Sequence, residues 1–394
     1  MKALRSLLSL LIFQSATFLS LSAQLEDIRG IYTFSIEGIR RIDSGTLTIA
    51  GERGDYYGLL EMSGSRTRQF AVGFVEEQKD TLRFRLSDGG FLNIYPNAKG
   101  WAGQFRYFRL NARLDGSKSG PPSEDLDRLA QLKPLAWGEI SSPARETFPT
   151  LSKNGKLLYF TRDNTIFYCK KKGKAWSSPK KASFSGQYDD SAPYFSPDDK
   201  TLLFTSNRPN PNYSEAFQQG SKKDLWIVKR QGKTWSTPKA LPTPVNVDSL
   251  GEYHSALAKN GIVYFVSYAR PGGYGRSDLY RAALKNGEYE VSNLGSTINT
   301  TASEADVYVD PDERFILFVA TDLPDSYGAD DIYISLKTNE GWSKPKNLGP
   351  AVNSFAYEYG PWVDRKGVYL YFNSIRRGTS DIYRVSLKDL DIPE

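Results

Sequence analysis

Between Glu146 and the C-terminus, one pattern returns five times. Each copy opens on an acidic residue a few positions ahead of an apolar residue or a small one. The five openings are Glu146-Thr-Phe-Pro149, Asp190-Ser-Ala-Pro193, Glu252-Tyr-His-Ser255, Glu304-Ala-Asp-Val307 and Glu358-Tyr-Gly-Pro361. A turn follows (152–155 in the first copy, 364–367 in the last), then an apolar strand such as 157–161 or 368–374. A polar loop leads to a third strand, read at 165–168, 224–226, 278–280, 331–333 and 381–383. Trp-Ser-x-Pro closes three copies, at Trp176, Trp235 and Trp342, and Gly287-Glu-Tyr289 takes its place in the third. A unit of roughly 45 to 60 residues made of four short strands cannot bury both of its faces alone. Copies must stack around a common axis, and the ring must close.

This constraint predicts a five-bladed β-propeller over residues 135–394, with no unit available for a sixth blade. The last copy stops after its third strand. The missing outer strand is available upstream at Leu135-Ala-Trp137-Gly-Glu-Ile140, which is expected to complete the final blade through Trp137. The motifs resemble the WD-repeat-like β-propellers of the TolB family, with their Ser-Pro-Asp-Gly turn and following Tyr-Phe strand, although no copy here keeps that whole turn. The resemblance covers about two thirds of the chain and implies interaction work more than catalysis.

Ahead of the repeats, 25–114 reads as short strands separated by turn residues at Gly51, Gly54, Gly64, Asp88-Gly-Gly90 and 97–100. Such adjacent strands predict a small antiparallel β-barrel-like domain, filled by its own side chains. Its opening Gly30-Ile-Tyr32 resembles the lipocalins in rhythm. Residues 115–134 read as a turn-rich linker, with a short helix behind Ser123. The fold class is therefore all-β: a small barrel, then a propeller. The aromatic content of 13% suits pleated faces.

Residues 1–23 read as an export signal: Lys2 and Arg5, an apolar run over 7–13, then small residues up to Ala23. No cysteine follows it for lipid attachment, and no later segment is apolar enough to span a membrane. The mature chain is expected in the periplasm or outside the cell. Cys169 is the only cysteine and His254 the only histidine, so no intrachain disulfide can form, and a zinc site or a Cys–His nucleophile has too few members. Cys169 is expected as a buried thiol on a strand. A net charge of +6 is mild for 394 residues, and export excludes nucleic acid as a partner. The Lys170, Lys171, Lys172 and Lys174 run reads as a solvated hairpin tip. No cofactor is expected.

Strand order brings Glu146, Asp190, Glu252, Glu304 and Glu358 to one mouth of the central channel. Loops carrying Arg208, Arg270, Tyr274, Arg276, Tyr327, Arg376 and Arg377 surround them, with His254 two residues after Glu252. Two readings compete. A carboxylate repeated in every blade suits a repeated structural task, capping backbone N–H groups between neighbours. Carboxylates crowded at a pore also suit ligand binding, or acid–base work of the glycosidase kind by Glu146, Asp190 and Glu252. Boxes of the Ser-x-Asp-x-Gly-x-Thr-Trp type and a Gly-x-Ser-x-Gly elbow are absent. The reading carried forward is a non-catalytic envelope module that recognises a protein or glycan at the channel mouth through the loops over 207–223 and 270–276.

Overall fold

In the computed structural model, the described residues are 28–394 except 39–41, 53–54, 65–67, 79–80, 88–89, 98–99, 108–109, 121–131, 137–139, 143, 214–221, 329, 391 and 393–394. The export signal, the linker helix and Trp137 fall outside them. The described chain is all-β apart from one 3-10 turn at Leu387–Asp389. It divides into two compact units, 1–131 with 376–379 and 132–375 with 380–394.

The first unit is an eight-stranded antiparallel meander: β1 (Gly30–Glu37), β2 (Ile42–Glu52), β3 (Asp55–Gly64), β4 (Arg68–Gln78), β5 (Thr81–Leu86), β6 (Phe91–Asn97), β7 (Gly100–Tyr107) and β8 (Leu110–Gly120). Pairing of β1 with β8 closes it into a barrel. Alternation puts Tyr32, Phe34 and Ile36 of β1, and Leu82, Phe84 and Leu86 of β5, on the inner face. Tyr32 meets Trp101 edge to face at 5.6 Å, and Phe70 meets Phe105 at 5.5 Å. The interior is occupied by these side chains, as expected of an eight-stranded barrel.

The second unit is a ring of five antiparallel sheets. Inner strands are Glu146–Leu151, Asp190–Phe195, Gly251–Leu257, Glu304–Val309 and Glu358–Val363. Second strands are Leu157–Arg162, Thr201–Ser206, Val263–Tyr268, Phe315–Thr321 and Tyr369–Ser374, and third strands Thr165–Lys172, Asp224–Gln231, Ser277–Lys285, Asp330–Thr338 and Asp381–Ser386. One apolar core runs through blades one to five, with Phe265, Phe318 and Phe372 fully buried at the same register. Cys169 is buried in it.

The outer strands explain the Trp-Ser-x-Pro motif. Proline has no N–H to give the ladder, so the strand breaks into two short pieces, such as Thr234–Trp235 and Lys239–Ala240. Across the break the serine substitutes: Ser177, Ser236 and Ser343 Oγ accept the N–H of Lys170, Lys229 and Leu336, each at 3.0 Å. The third copy lacks the motif, and its outer strand, Glu288–Asn293, runs unbroken.

After each outer strand the backbone N–H of Ala182, Leu241, Leu294 or Leu348 donates to the third strand at Ile166, Leu225, Leu279 or Ile332. In the fifth sheet the same bond comes from upstream: Leu135 N–H donates to Ile382 O at 2.7 Å. Leu135 thus makes the bond that Ala182, Leu241 and Leu348 make six residues after their tryptophans. Ser141 Oγ then donates back to Leu135 O at 3.1 Å. Ile140 is fully buried in the propeller core.

Candidate functional site

The five repeated acids head the inner strands, and all are fully buried. Each carboxylate accepts a backbone N–H from the segment entering its blade: Ser142 (3.0 Å), Gly186 (3.3 Å), Val247 (3.2 Å), Thr300 (3.1 Å) and Ser354 (2.6 Å) for Glu146, Asp190, Glu252, Glu304 and Glu358. In the first three blades an arginine adds a second arm. Arg162, Arg208 and Arg270 reach their acids at 2.7, 2.6 and 2.9 Å and also donate to the carbonyls of Ile140, Phe184 and Val245. Each guanidinium lies over aromatic rings of the second and third strands, Phe204 and Trp226 for Arg208, and Phe265 and Tyr280 for Arg270. The result is a clamp that joins the incoming segment, the inner strand and the loop after the second strand.

Among the described residues Glu304 has no such arginine, and Thr300 holds it, at 3.1 Å through N and 2.6 Å through Oγ1. Burial pushes its pKa up to about 7, and Glu252 rises to about 7 for the same reason despite Arg270. Burial also raises Glu146. Arg376 lies in the 376–379 segment that groups with the first unit.

The residues that face the axis are two positions beyond the acids. Phe148, Ala192, His254, Asp306 and Gly360 all have positive φ, between 41° and 59°, at a register shift in each inner strand. Such bulges turn an N–H out of the ladder. The neighbouring blade takes it up: Thr161 Oγ1 accepts from Ala192, Thr205 Oγ1 from His254, Asn373 Oδ1 from Phe148 and Asp306 Oδ2 from Gly360. Only backbone geometry is shared, since the five side chains differ. Sequence reading missed this ring for that reason.

His254 Nδ1 sits against Asp306 Oδ1, and its ring packs on Phe148 at 4.5 Å. The cavity they border is ≈ 30 Å³, enough for about one water. Deeper in, Tyr194, Tyr308 and Trp362 fill the axis, with Tyr194 and Tyr308 6.3 Å apart. Arg365 stacks on Tyr194 and Trp362 and donates to Phe195 O at 2.8 Å. No group of three metal-ligating side chains occurs among the described residues.

Around the mouth, blades three and four build the same loop twice. Asp278 Oδ2 accepts the N–H of Tyr274 at 2.6 Å, and Asp331 Oδ2 that of Tyr327 at 2.6 Å. The glycine after each tyrosine lies against the next blade's entering segment. A Cβ on Gly275 would stand 2.1 Å from Ala302 O, and one on Gly328 2.3 Å from Ala356 O. Thus a glycine is required twice, and the tyrosine before each, Tyr274 and Tyr327, is 48% and 51% exposed. Tyr268 adds a third ring at 39%, under the Arg276 guanidinium. In the long loop over 207–223, two described residues turn inward: Asn210 Nδ2 and Tyr213 Oη donate to Asp224 at 2.7 and 2.9 Å.

The polar residues Ser185, Asn246, Asn299 and Asn353, five or six positions ahead of the acids, also escaped sequence reading. Each asparagine accepts the N–H of a third-strand residue (Leu225, Leu279 or Ile332) and donates to the same residue's carbonyl. Their recurrence at a fixed distance from the acids was the available signal.

No family model matches the chain, and no curated protein matches it in sequence. Solved structures share its backbone course at low identity. TolB from Acinetobacter baumannii is 15% identical, covering 74% of this chain and 78% of its own, with a TM-score of 0.39. The endo-arabinase of Bacteroides thetaiotaomicron is 16% identical over 64% of this chain and 95% of its own, TM-score 0.39. A mutant of the NanB sialidase of Streptococcus pneumoniae is 8% identical over 92% and 93%, TM-score 0.42.

Proposed function

We propose that this chain is an exported binding or scaffolding module of the bacterial cell envelope, which recognises a protein or glycan with the rim of the channel mouth. The observation that carries this reading is the pair of loops built alike to hold Tyr274 and Tyr327 exposed. Aromatic rings and arginine on preorganised loops are what contact surfaces use. The buried acids support a structural task, because each is engaged by its own entering segment. The glycosidase alternative needs Glu146, Asp190 or Glu252 to meet a sugar, and the burial of all three speaks against it.

Two measurements test this reading. A Tyr274→Ala/Tyr327→Ala double variant is expected to keep the wild-type Tm while losing the envelope component that the full chain retains in a pull-down. Asp190→Asn is expected to lower stability by about 3 kcal/mol, since it strands Arg208 in a buried pair. Unchanged Tm in Asp190→Asn, together with lost turnover on an oligosaccharide that wild type cleaves, would reverse the reading in favour of an enzyme.

A further inference from the structure

On the propeller face away from the buried acids, the seams between blades are not alike. Each turn from inner to second strand contains one residue of positive φ: Gly155, Asp199, Gly261, Glu313 and Gly367. The ladder register puts Tyr371, Tyr159, Leu203, Tyr264 and Leu317 at one equivalent position on the preceding blades. Two leucine seams therefore go with glycine. Two tyrosine seams go with a carboxylate, and both carboxylates reach back across the seam. Asp199 accepts the N–H of Lys153 at 2.9 Å, and Glu313 takes the Tyr264 hydroxyl and, at 2.5 Å, Asn260 Nδ2. Trp235 further closes the first of these by donating to Tyr159 Oη at 2.8 Å.

The seam between the last and first blades breaks the pairing: it has the tyrosine, Tyr371, and the glycine, Gly155. A Cβ placed on Gly155 would meet nothing within 4 Å. The seam stands open as a groove of ≈ 620 Å³, within the range that takes small ligands. Lys153, Lys156 and Lys171 line it from the first blade, and Arg365, Lys366 and Arg384 from the last. Asp364 is the one acid of the lining, and its Oδ1 is already accepting from Val368 N at 2.7 Å and Tyr369 N at 3.1 Å. The hairpin lysines that read as a solvated tip thus contribute Lys171 to one wall.

We propose that this closing seam binds an oligosaccharide bearing oxyanions, carboxylate or phosphate, one of which takes the place that Asp199 and Glu313 fill at the other two tyrosine seams. Arg365 is turned to the axis, so the five other cations supply the charge, and the volume of the groove exceeds what a bare ion needs. Tyr369, with Arg384 stacked on it at 4.4 Å, and Tyr371 form an aromatic wall. The site lies on the other face from the tyrosine rim and stands or falls separately from it.

The experiment titrates the full chain by calorimetry with four probes: trigalacturonic acid, maltotriose, a phosphorylated maltotriose and inorganic phosphate. Binding of one or both charged sugars, with none of neutral maltotriose and at least tenfold less of inorganic phosphate, is expected; the stronger charged sugar names the oxyanion. Gly155→Asp supplies the missing carboxylate in a conformation that Asp199 already adopts, and is expected to weaken the charged sugar at least tenfold with Tm at or above wild type. If that variant loses Tm, Lys153→Glu/Lys366→Glu gives the same readout on the exposed rim. No binding of either charged sugar at millimolar concentration, equal binding of inorganic phosphate, or binding unmoved by these variants overturns the proposal.

Discussion

Glu304 shows how one missing side chain changes what a repeated residue costs the fold. Its counterparts in the first three blades have an arginine arm, whereas among the described residues Glu304 is held by Thr300. Burial raises its pKa from 4.5 to about 7, so the folded chain favours the neutral acid more than the unfolded chain does. A raised folded value contributes stability that is complete below 4.5 and lost as the pH climbs through about 7. For this group the loss is on the order of 3 kcal/mol as an upper bound. Glu304→Gln keeps an oxygen for Thr300 N and removes the titration. The stability difference between wild type and variant, followed by denaturant unfolding from pH 4.5 to pH 8, is expected to shift against wild type as pH rises. A flat difference would mean that Glu304 titrates in the folded chain where it does in the unfolded one.

At the scale of the strand, the outer edges of blades one, two and four each carry a tryptophan, at Trp176, Trp235 and Trp342. Trp235 is half-buried, meets Tyr159 edge to face at 6.2 Å and Phe195 at 6.0 Å, and bridges the first seam by hydrogen bond. Trp235→Ala is expected to cost about 2–3 kcal/mol, read as a lower Tm, through lost ring contacts and an unpaired Tyr159 hydroxyl. The blades themselves were legible because acid, turn, apolar strand and Trp-Ser-x-Pro recur in phase, and five blades are what the structure contains. The buried acids could be located in the sequence, but their environment could not. Burial depends on where Arg162, Arg208 and Arg270 fold back, and although Arg208 and Arg270 both stand 18 residues after their acids, Arg162 stands 16 after its own and Glu304 has no arginine at either distance. The axial ring was hidden for a different reason: Phe148, Ala192, His254, Asp306 and Gly360 share φ and no chemistry. The tyrosine loops lay between these extremes, since Tyr274 and Tyr327 are visible as Tyr-Gly pairs but their anchoring by Asp278 and Asp331 is not.

For the ring as a whole, the last and first blades meet through Asn373, which takes the N–H of Phe148 and donates to Glu146 O, and through a segment upstream of the first blade. Leu135 N–H supplies to Ile382 the bond that every other blade makes from its own outer strand. Leu135→Pro removes that donor without deleting a strand, at a cost of about 3 kcal/mol. Amide exchange is expected to accelerate first over Asp381–Ser386 and at Glu146, whose N–H donates to Ser380 O, while the second and third blades keep wild-type protection. Uniform acceleration across all five blades would show instead that the ring opens only by global unfolding.

Tyr194, Tyr308 and Trp362 give the propeller a solid hub. Nothing the size of a sugar can thread from one side to the other, so whatever settles on the tyrosine rim and whatever settles in the cationic seam are kept apart by packed protein. Neither has to leave for the other to arrive. A disc built this way can hold two unlike guests back to back, and the distance between them is set by the thickness of the sheets.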